Sequence, residues 1–178
     1  MTVIDNMETS EASIAAGNGV LGQRMLRKED PALLTGEAVF TNDMQVPGAL
    51  HLAVLRSPYA HARIVSVDVS GALAMDGVLH AFSGADLADQ WAAPMPCAWP
   101  VTDDMKNPAH YPLAVGKAAY VGDGVACVLA TSDAIARDAL EAIDVEYDAL
   151  PAVIGLEDAL ADNIVIHDEL GTNASYTW

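Results

Sequence analysis

Thiols are the strongest nucleophiles that this sequence could use, and it contains two cysteines. Cys97 could form a triad with His110 and an acid, Asp103 or Asp104, in which the imidazole would activate the thiol. No local signature of a thiol enzyme surrounds Cys97, and sequence spacing does not establish geometry. Cys127 lies inside an apolar run that is typical of a core strand. The sequence therefore favours a structural role for Cys127 and does not favour a thiol enzyme.

Histidines are the next candidates, because imidazole is a frequent metal ligand. They form no pair at i, i+4 spacing and accompany no CxxC motif, and they lie at positions 51, 61, 80, 110 and 167. His51 and His80 fall in predicted strands, where we expect a structural role. His61 follows the turn at Pro58, where a hydrogen bond from the imidazole to the backbone would brace the bend. The spacing predicts no metal site.

Phosphate binding would need a glycine-rich loop or a cluster of cations. Residues 122–124 (Gly-Asp-Gly) carry an acid, join two predicted strands and lack a following lysine or helix. The basic side chains Arg24, Arg27 and Lys28 could bind a phosphate, but such cations more often pair with nearby carboxylates or with a neighbouring subunit. We therefore predict no catalytic, cofactor-binding or metal-ligating residue in this chain.

The elements that would hold these residues are mostly strands. Residues 49–70 consist of two alternating arms around the Pro58 turn, which indicates a hairpin-like unit. The Asp-Gly pair in 122–124 predicts a tight turn between two more strands. Strands are predicted at 38–41, 50–55, 64–69, 77–82, 118–121, 125–129, 144–147 and 151–154, and helical segments at 33–36, 71–75, 84–90, 133–143 and 156–161. We expect Gly36 to end the first helical segment, Ser83 to cap the helix at 84–90, and Thr131-Ser132 to cap the helix at 133–143. The buried stripe of that last helix is predicted to be Ile135, Ala136, Ala139, Leu140 and Ile143. This order predicts an α+β, or mixed α/β, fold.

Residues 91–111 differ from the rest, because they contain four prolines and two tryptophans. Such a run cannot form regular structure, and a long irregular connection in a compact domain usually covers an interface or a site. One hypothesis makes Trp91 and Trp99 anchors of an interface with another chain. The other folds this segment over its own sheet.

Charge and composition limit the classes of partner. The net charge is −17, and residues 65–178 hold 18 acids and 3 bases. Nucleic acid and anionic membrane both require basic patches, so neither is expected as a partner. The acidic half either meets a basic subunit or is a plain solvated surface. No run approaches the ~20 apolar residues of a membrane span and no signal peptide is visible, so we expect a cytoplasmic protein.

Several motifs occur together in a characteristic order. Residues 55–64 read LRSPYAHARI; residues 22–36 (GQRMLRKEDPALLTG) precede them, and residues 112–130 (PLAVGKAAYVGDGVACVLA) and 145–153 (VEYDALPAV) follow. In this order they resemble the amino-terminal hammerhead domain of the molybdenum hydroxylase large subunits. That family contains xanthine dehydrogenase, aldehyde oxidase and aerobic carbon monoxide dehydrogenase. The resemblance covers roughly residues 20–178.

The resemblance implies a hammerhead-type sheet with a few short helices in a single domain. It implies three parts: a flexible leader over 1–20, the hammerhead domain over 21–161, and a segment over 162–178 that joins a missing catalytic domain. The chain would then be a truncated gene product, a split subunit or an isolated domain. Its role would be scaffolding, without activity of its own.

The complete enzyme implied by the resemblance hydroxylates an aldehyde, an N-heterocycle or a similar small molecule. Molybdopterin would be bound by later segments of the large subunit, with iron–sulfur clusters and FAD on partner subunits, and this chain would bind none of them. Its partners would be the remainder of the large subunit and the iron–sulfur and flavin subunits. The alternative is a stand-alone binding module in which Trp91, Trp99 and the nearby prolines form a pocket.

Overall fold

A computed structural model of the chain describes residues 24–44, 46–96 and 102–177. The chain divides into two compact units, 1–47 and 48–178, and each is described by itself. In the first unit, helix α1 (Asp30–Thr35) ends at Gly36, which adopts the left-handed conformation with φ 76°, as the sequence predicts. No described residue of this unit is buried. The hammerhead bounds at 21–161 stay a prediction.

Two predicted strands are wrong. Residues 38–41 form no strand, because the Asp43 carboxylate accepts a hydrogen bond from the backbone N–H of Phe40 at 2.9 Å and closes a 3-10 turn at Thr41–Asp43. Residues 151–154 are also irregular. Pro151 has no N–H to give to a neighbouring strand, and Ile154 is 93% exposed.

The second unit contains two three-stranded antiparallel sheets. Sheet A has the order β1–β5–β3, with β1 at His51–Arg56, β5 at Gly124–Ala130 and β3 at Val78–Ser83. Sheet B has the order β4–β2–β6, with β4 at Lys117–Ala118, β2 at Ala62–Asp68 and β6 at Asp144–Ala149. The helices are α2 (Ser70–Leu73), α3 (Gly84–Leu87), α4 (Asp133–Leu140) and α5 (Leu156–Leu160), with a 3-10 turn at Ala88–Gln90. The mixed α/β fold is confirmed.

The predicted hairpin-like unit over 49–70 is wrong, because its two arms lie in different sheets. Strands β1 and β2 follow each other in the chain, but β1 pairs with β5 while β2 pairs with β4 and β6. Likewise, β4 lies in sheet B and β5 in sheet A. The turns at Pro58 and at 122–124 are therefore corners at which the chain passes from one sheet to the other.

The core lies between one face of sheet A and helix α4. Ala126 and Val128 of β5 pack with Ala136 and Ala139 of α4, and Ile143 extends the same cluster. Small side chains on both sides let the helix approach the sheet closely. The predicted apolar stripe of this helix is thus confirmed, although the helix ends at Leu140 rather than at residue 143.

Two serines begin helices, as predicted. The Ser132 hydroxyl accepts a hydrogen bond from the Ile135 N–H at 3.3 Å at the start of α4. At the start of α3, Ser83 and Asp86 each accept a hydrogen bond from the backbone N–H of the other. The Ser83 hydroxyl also donates to Asp86 Oδ2 at 2.7 Å, and this bond, together with the one from the Ser83 N–H, lowers the pKa of Asp86. Within the described ranges, no helix combines the length and apolar character needed to cross a bilayer.

We predict that Gly84→Ala destabilises the second unit. A Cβ at this position would overlap the Ala114 carbonyl oxygen, which belongs to the backbone and cannot rotate away. Overpacking of this kind typically costs about 1–3 kcal/mol of the free energy of unfolding, measurable by urea denaturation. Gly155→Ala is the matched control, because its Cβ would meet the mobile end of the Asp158 side chain at 2.8 Å. Equal urea midpoints for the two variants would contradict the prediction.

Candidate functional site

The two corners bind each other through their backbones. The Ser57 N–H donates to the Asp123 carbonyl oxygen at 2.8 Å, and the Gly122 N–H donates to the Ser57 carbonyl oxygen at 2.8 Å. Ser57 is only 2% exposed, so water competes little for these hydrogen bonds. We call residues 56–61 and 119–124 the corner clasp. The polar residues Arg56, Ser57 and Asp123 of the two sequence motifs lie in it.

Side chains of the corner clasp also form hydrogen bonds with backbone groups. Arg56 Nη1 donates to the Gly122 carbonyl oxygen at 2.8 Å, and Asp123 Oδ2 accepts from the Ala119 N–H at 3.0 Å. The Ser57 hydroxyl oxygen accepts from the Tyr59 N–H at 3.1 Å. The Asp123 carboxyl group is buried and points toward a backbone donor rather than toward solvent. The glycine-rich loop that was considered for phosphate is therefore part of a structural corner.

His61 makes the predicted hydrogen bond to backbone. Its Nδ1 lies 2.8 Å from the Pro151 carbonyl oxygen, and because a carbonyl can only accept, Nδ1 carries the proton. The partner is distant in sequence, so the imidazole ties the corner to the segment after β6 rather than bracing its own turn. The ring is 6% exposed, and its Nε2 is buried without a hydrogen bond in the described part of the chain.

The considered thiol triad stays a hypothesis, because Cys97 lies outside the described residues, as does Trp99. Asp103 and Asp104 are exposed. Cys127 is buried in β5 as predicted, and burial raises the pKa of its thiol. A raised pKa disfavours the reactive thiolate.

The other histidines are dispersed over the unit. His51 and His80 lie on strands, as predicted, but both are exposed, and the His80 ring stacks on Phe82 with centroids 5.7 Å apart. The His110 ring contacts the Tyr120 ring. The backbone carbonyl oxygen of His110 accepts a hydrogen bond from the Met95 N–H at 2.7 Å. The described residues contain no group of three or more His, Cys, Asp or Glu side chains placed to hold a metal.

The irregular segment folds back on itself where it is described. The Trp91 indole is half-buried and stacks on the Tyr111 ring, with centroids 5.1 Å apart and planes 14° apart. For Trp91, this stacking argues against a free interface anchor, while the hypothesis that the segment folds over its own sheet stays a prediction.

No sequence pattern predicts the hydrogen-bonded C-terminal segment at 162–177. The Asn173 side chain donates to the carbonyl oxygens of Ala159 and Ile164 and accepts from the Ile166 N–H. The Asp162 carboxyl group accepts from the Asn173 N–H at 2.7 Å, which lowers the pKa of Asp162. No periodic pattern accompanies such contacts, so only the general capacity of asparagine to bond backbone could have suggested them.

A groove of about 340 Å³ lies beside this segment. Its lining is mostly apolar, with Pro108, Val153, Ile166 and Leu170 among its residues. Lys106 also lines it, and its backbone exchanges hydrogen bonds with Ser175 at 2.8 and 2.9 Å.

A smaller hollow of about 170 Å³ brings together polar side chains whose proximity the sequence did not predict. It is bordered by His110, Lys117, Asp123, His167 and Glu169. Two of these side chains already bind protein groups. Asp123 accepts from backbone, while Lys117 donates to the Ile166 carbonyl oxygen and to Asp168 Oδ2 at 2.7 Å. The arrangement attaches the C-terminal segment to β4.

We predict that His61→Ala costs stability, because it removes a buried hydrogen bond and leaves the Pro151 carbonyl oxygen unpaired. The expected loss is about 1–3 kcal/mol in the free energy of unfolding, measured by urea denaturation. His80→Ala is the control, because that imidazole is exposed and should change stability by less than about 0.5 kcal/mol. A His61→Ala variant as stable as the parent would contradict the structural role.

We also predict that the Lys117–Asp168 pair stabilises the fold in a pH-dependent way. The hydrogen bond from Lys117 lowers the pKa of Asp168 below the ordinary value. The stabilisation is therefore present above the unfolded-state pKa of about 3.9 and is lost as the pH falls through the folded-state pKa. Melting temperature should fall less steeply from pH 6 to about pH 3 in Lys117→Met than in the parent.

The control for this prediction is Arg137→Met, which breaks the exposed pair between Arg137 and Asp133 on α4. Exposed ion pairs of this kind contribute little to stability, so the melting temperature of this variant should depend on pH as that of the parent does. Identical acid profiles for Lys117→Met and the parent would show that the Lys117 contact does not hold the segment.

Comparisons with known proteins identify the family. Residues 35–151 match the family described as "aldehyde oxidase and xanthine dehydrogenase, a/b hammerhead domain". The carbon monoxide dehydrogenase large chain of Hydrogenophaga pseudoflava is 34% identical over 97% of this chain and 20% of its own length. Subunit gamma of the 6-hydroxypseudooxynicotine dehydrogenase complex of Paenarthrobacter nicotinovorans is 35% identical over 87% of this chain and 20% of its own length.

Solved structures agree with these relatives. The quinoline 2-oxidoreductase of Pseudomonas putida 86 superposes with a TM-score of 0.75 and 42% identity, over 85% of this chain and 19% of that one. The chain thus spans about a fifth of the length of the relatives it matches. With the family model matching most of the chain and the fold matching a solved member, this chain belongs to the aldehyde oxidase and xanthine dehydrogenase a/b hammerhead domain family.

Proposed function

We propose that the chain is a non-catalytic, amino-terminal module of a molybdopterin-dependent hydroxylase large subunit. The observation that carries the proposal is how its polar side chains are used. His61, Asp123 and Asn173 all bind backbone, so the groups that could do chemistry hold the fold instead. The short span relative to the matched relatives supports the same conclusion.

The reaction of the complete enzyme is inferred from what the relatives are named for. They include enzymes of carbon monoxide, nicotine derivatives and quinoline, and an Escherichia coli O157:H7 relative named as the molybdenum-binding subunit of xanthine dehydrogenase. We infer that the complete enzyme oxidises an aldehyde, an N-heterocycle or a similar small molecule. The remainder of the large subunit and iron–sulfur and flavin subunits would be its partners, in the cytoplasm.

We propose that molybdopterin is held by the remainder of the large subunit rather than by this chain. Two observations support this: the described residues contain no group of three or more His, Cys, Asp or Glu side chains placed to hold a metal, and the Gly-Asp-Gly loop is itself part of the corner clasp. Molybdopterin would supply the redox chemistry of the complete enzyme from the remainder of the large subunit, with iron–sulfur clusters and FAD on the partner subunits. The contribution of this module is a stable, preformed surface.

The alternative of a stand-alone binding module depends on an aromatic pocket. Trp91 is stacked against Tyr111 rather than lining the 340 Å³ groove. The groove has apolar walls, and its Thr172, Asn173 and Ser175 side chains already bind other protein groups, whereas small-molecule sites direct a few polar groups at the ligand. The scaffold function is therefore the better supported of the two.

The proposal predicts that the purified 178-residue chain has no oxidoreductase activity. Molybdenum and pterin content should be far below one per chain, and dye-linked oxidation of xanthine, quinoline and an aldehyde should equal the blank. Intact quinoline 2-oxidoreductase, purified and assayed in parallel, is the positive control. Stoichiometric molybdenum, or turnover by this chain alone, would overturn the proposed function.

A further inference from the structure

Sheet A has two unlike faces. One face carries Ala53, Val128 and Ala81, which are aligned across the three strands and belong to the core under α4. The opposite face carries side chains outside the core cluster. In one row Leu52 is aligned with Leu129 and His80, and in the next row Val54 and Phe82 flank Cys127. We call Leu52, Val54, His80, Phe82 and Leu129 the open face.

The open face is apolar and accessible. Leu52 is 58% exposed, His80 is exposed, and Val54, Phe82 and Leu129 are half-buried. The strands beneath are fully paired around β5, so the backbone already forms a firm support. A contiguous apolar surface on a firm sheet is typical of an interaction site.

The distribution of charge indicates what kind of partner fits. The chain has 25 acids in 178 residues, but none lies in the three strands of sheet A. Sheet B, by contrast, carries Asp68, Asp144, Glu146 and Asp148 on β2 and β6. A basic partner would be attracted to sheet B. A partner of the open face gains most if it is apolar and uncharged, because burying a carboxylate there would be costly.

We propose that the open face is the docking surface for an apolar, uncharged surface on the remainder of the large subunit. This inference rests on the proposed function. In the matched relatives about four-fifths of the chain lies beyond the matching segment, so a partner large enough to cover this face exists in each of them. Leu52, the most exposed aliphatic side chain of the face, is the expected anchor.

The test uses the quinoline 2-oxidoreductase chain of Pseudomonas putida 86, shortened by the segment that this chain matches and co-expressed with this chain carrying an affinity tag. The parent should retain the shortened chain on the affinity column. Leu52→Arg should reduce retention roughly tenfold or more, since it places a charge within the apolar contact. Val65→Arg is the matched control, because Val65 on sheet B is 52% exposed, and its retention should equal that of the parent.

Thermal melting of the tagged chains alone separates docking from folding. Both arginine variants should melt within a few degrees of the parent. If Leu52→Arg does not, Leu52→Ser replaces it and should also reduce retention of the shortened chain. Equal retention by the Leu52 and Val65 variants overturns the docking surface. Failure of the parent to retain the shortened chain contradicts the proposed function instead. If sedimentation shows a parent dimer that Leu52→Arg dissociates, the occupant is a second copy and the proposal is wrong.

Discussion

The hydrogen bonds between Ser57 and the backbone of Gly122 and Asp123 are the constraint on which the second unit depends. They join two corners, and at each corner the chain leaves one sheet for the other. If the corners separated, β1 and β5 of sheet A would lose their fixed relation to β2 and β4 of sheet B. The burial of Ser57 strengthens these bonds and makes an unpaired group there costly. The proline turn and the Gly-Asp-Gly loop are thus two halves of one structural feature.

Polar side chains near the corners also form hydrogen bonds with backbone in the described part of the chain. Asp123 and His61 carry buried side chains of the types used in acid–base catalysis, and Asp123 borders the hollow of about 170 Å³. Here each faces a backbone partner, and each joins segments that are distant in sequence or direction. Lys117 and Asn173 serve the C-terminal segment in the same way. What remains available to partners is the surface, and its acid-rich and acid-free sheets offer two different kinds of contact.

The sequence predicted local features well and long-range pairing poorly. Helix caps at Ser83 and Ser132, the glycine stop at Gly36 and the buried Cys127 all depend on neighbours within a few residues or on a simple apolar run. The predicted hairpin-like unit failed because alternation identifies a strand but not its partner, and β1 pairs with β5 rather than with β2. The His61 hydrogen bond was predicted, yet its acceptor, Pro151, was not. The Asn173 contacts left no pattern at all, since they join irregular segments.

The central claim is that the corners form a structural clasp rather than a ligand-binding loop, and native-state amide hydrogen exchange tests it most directly. Ligand-binding loops exchange quickly, because they open with little free energy. We expect the amides of Ser57 and Gly122 to exchange as slowly as those at the centre of β5. The amide of the exposed residue Gly116 is the reference and should exchange rapidly. Exchange of Ser57 and Gly122 at the rate of Gly116 would contradict the account.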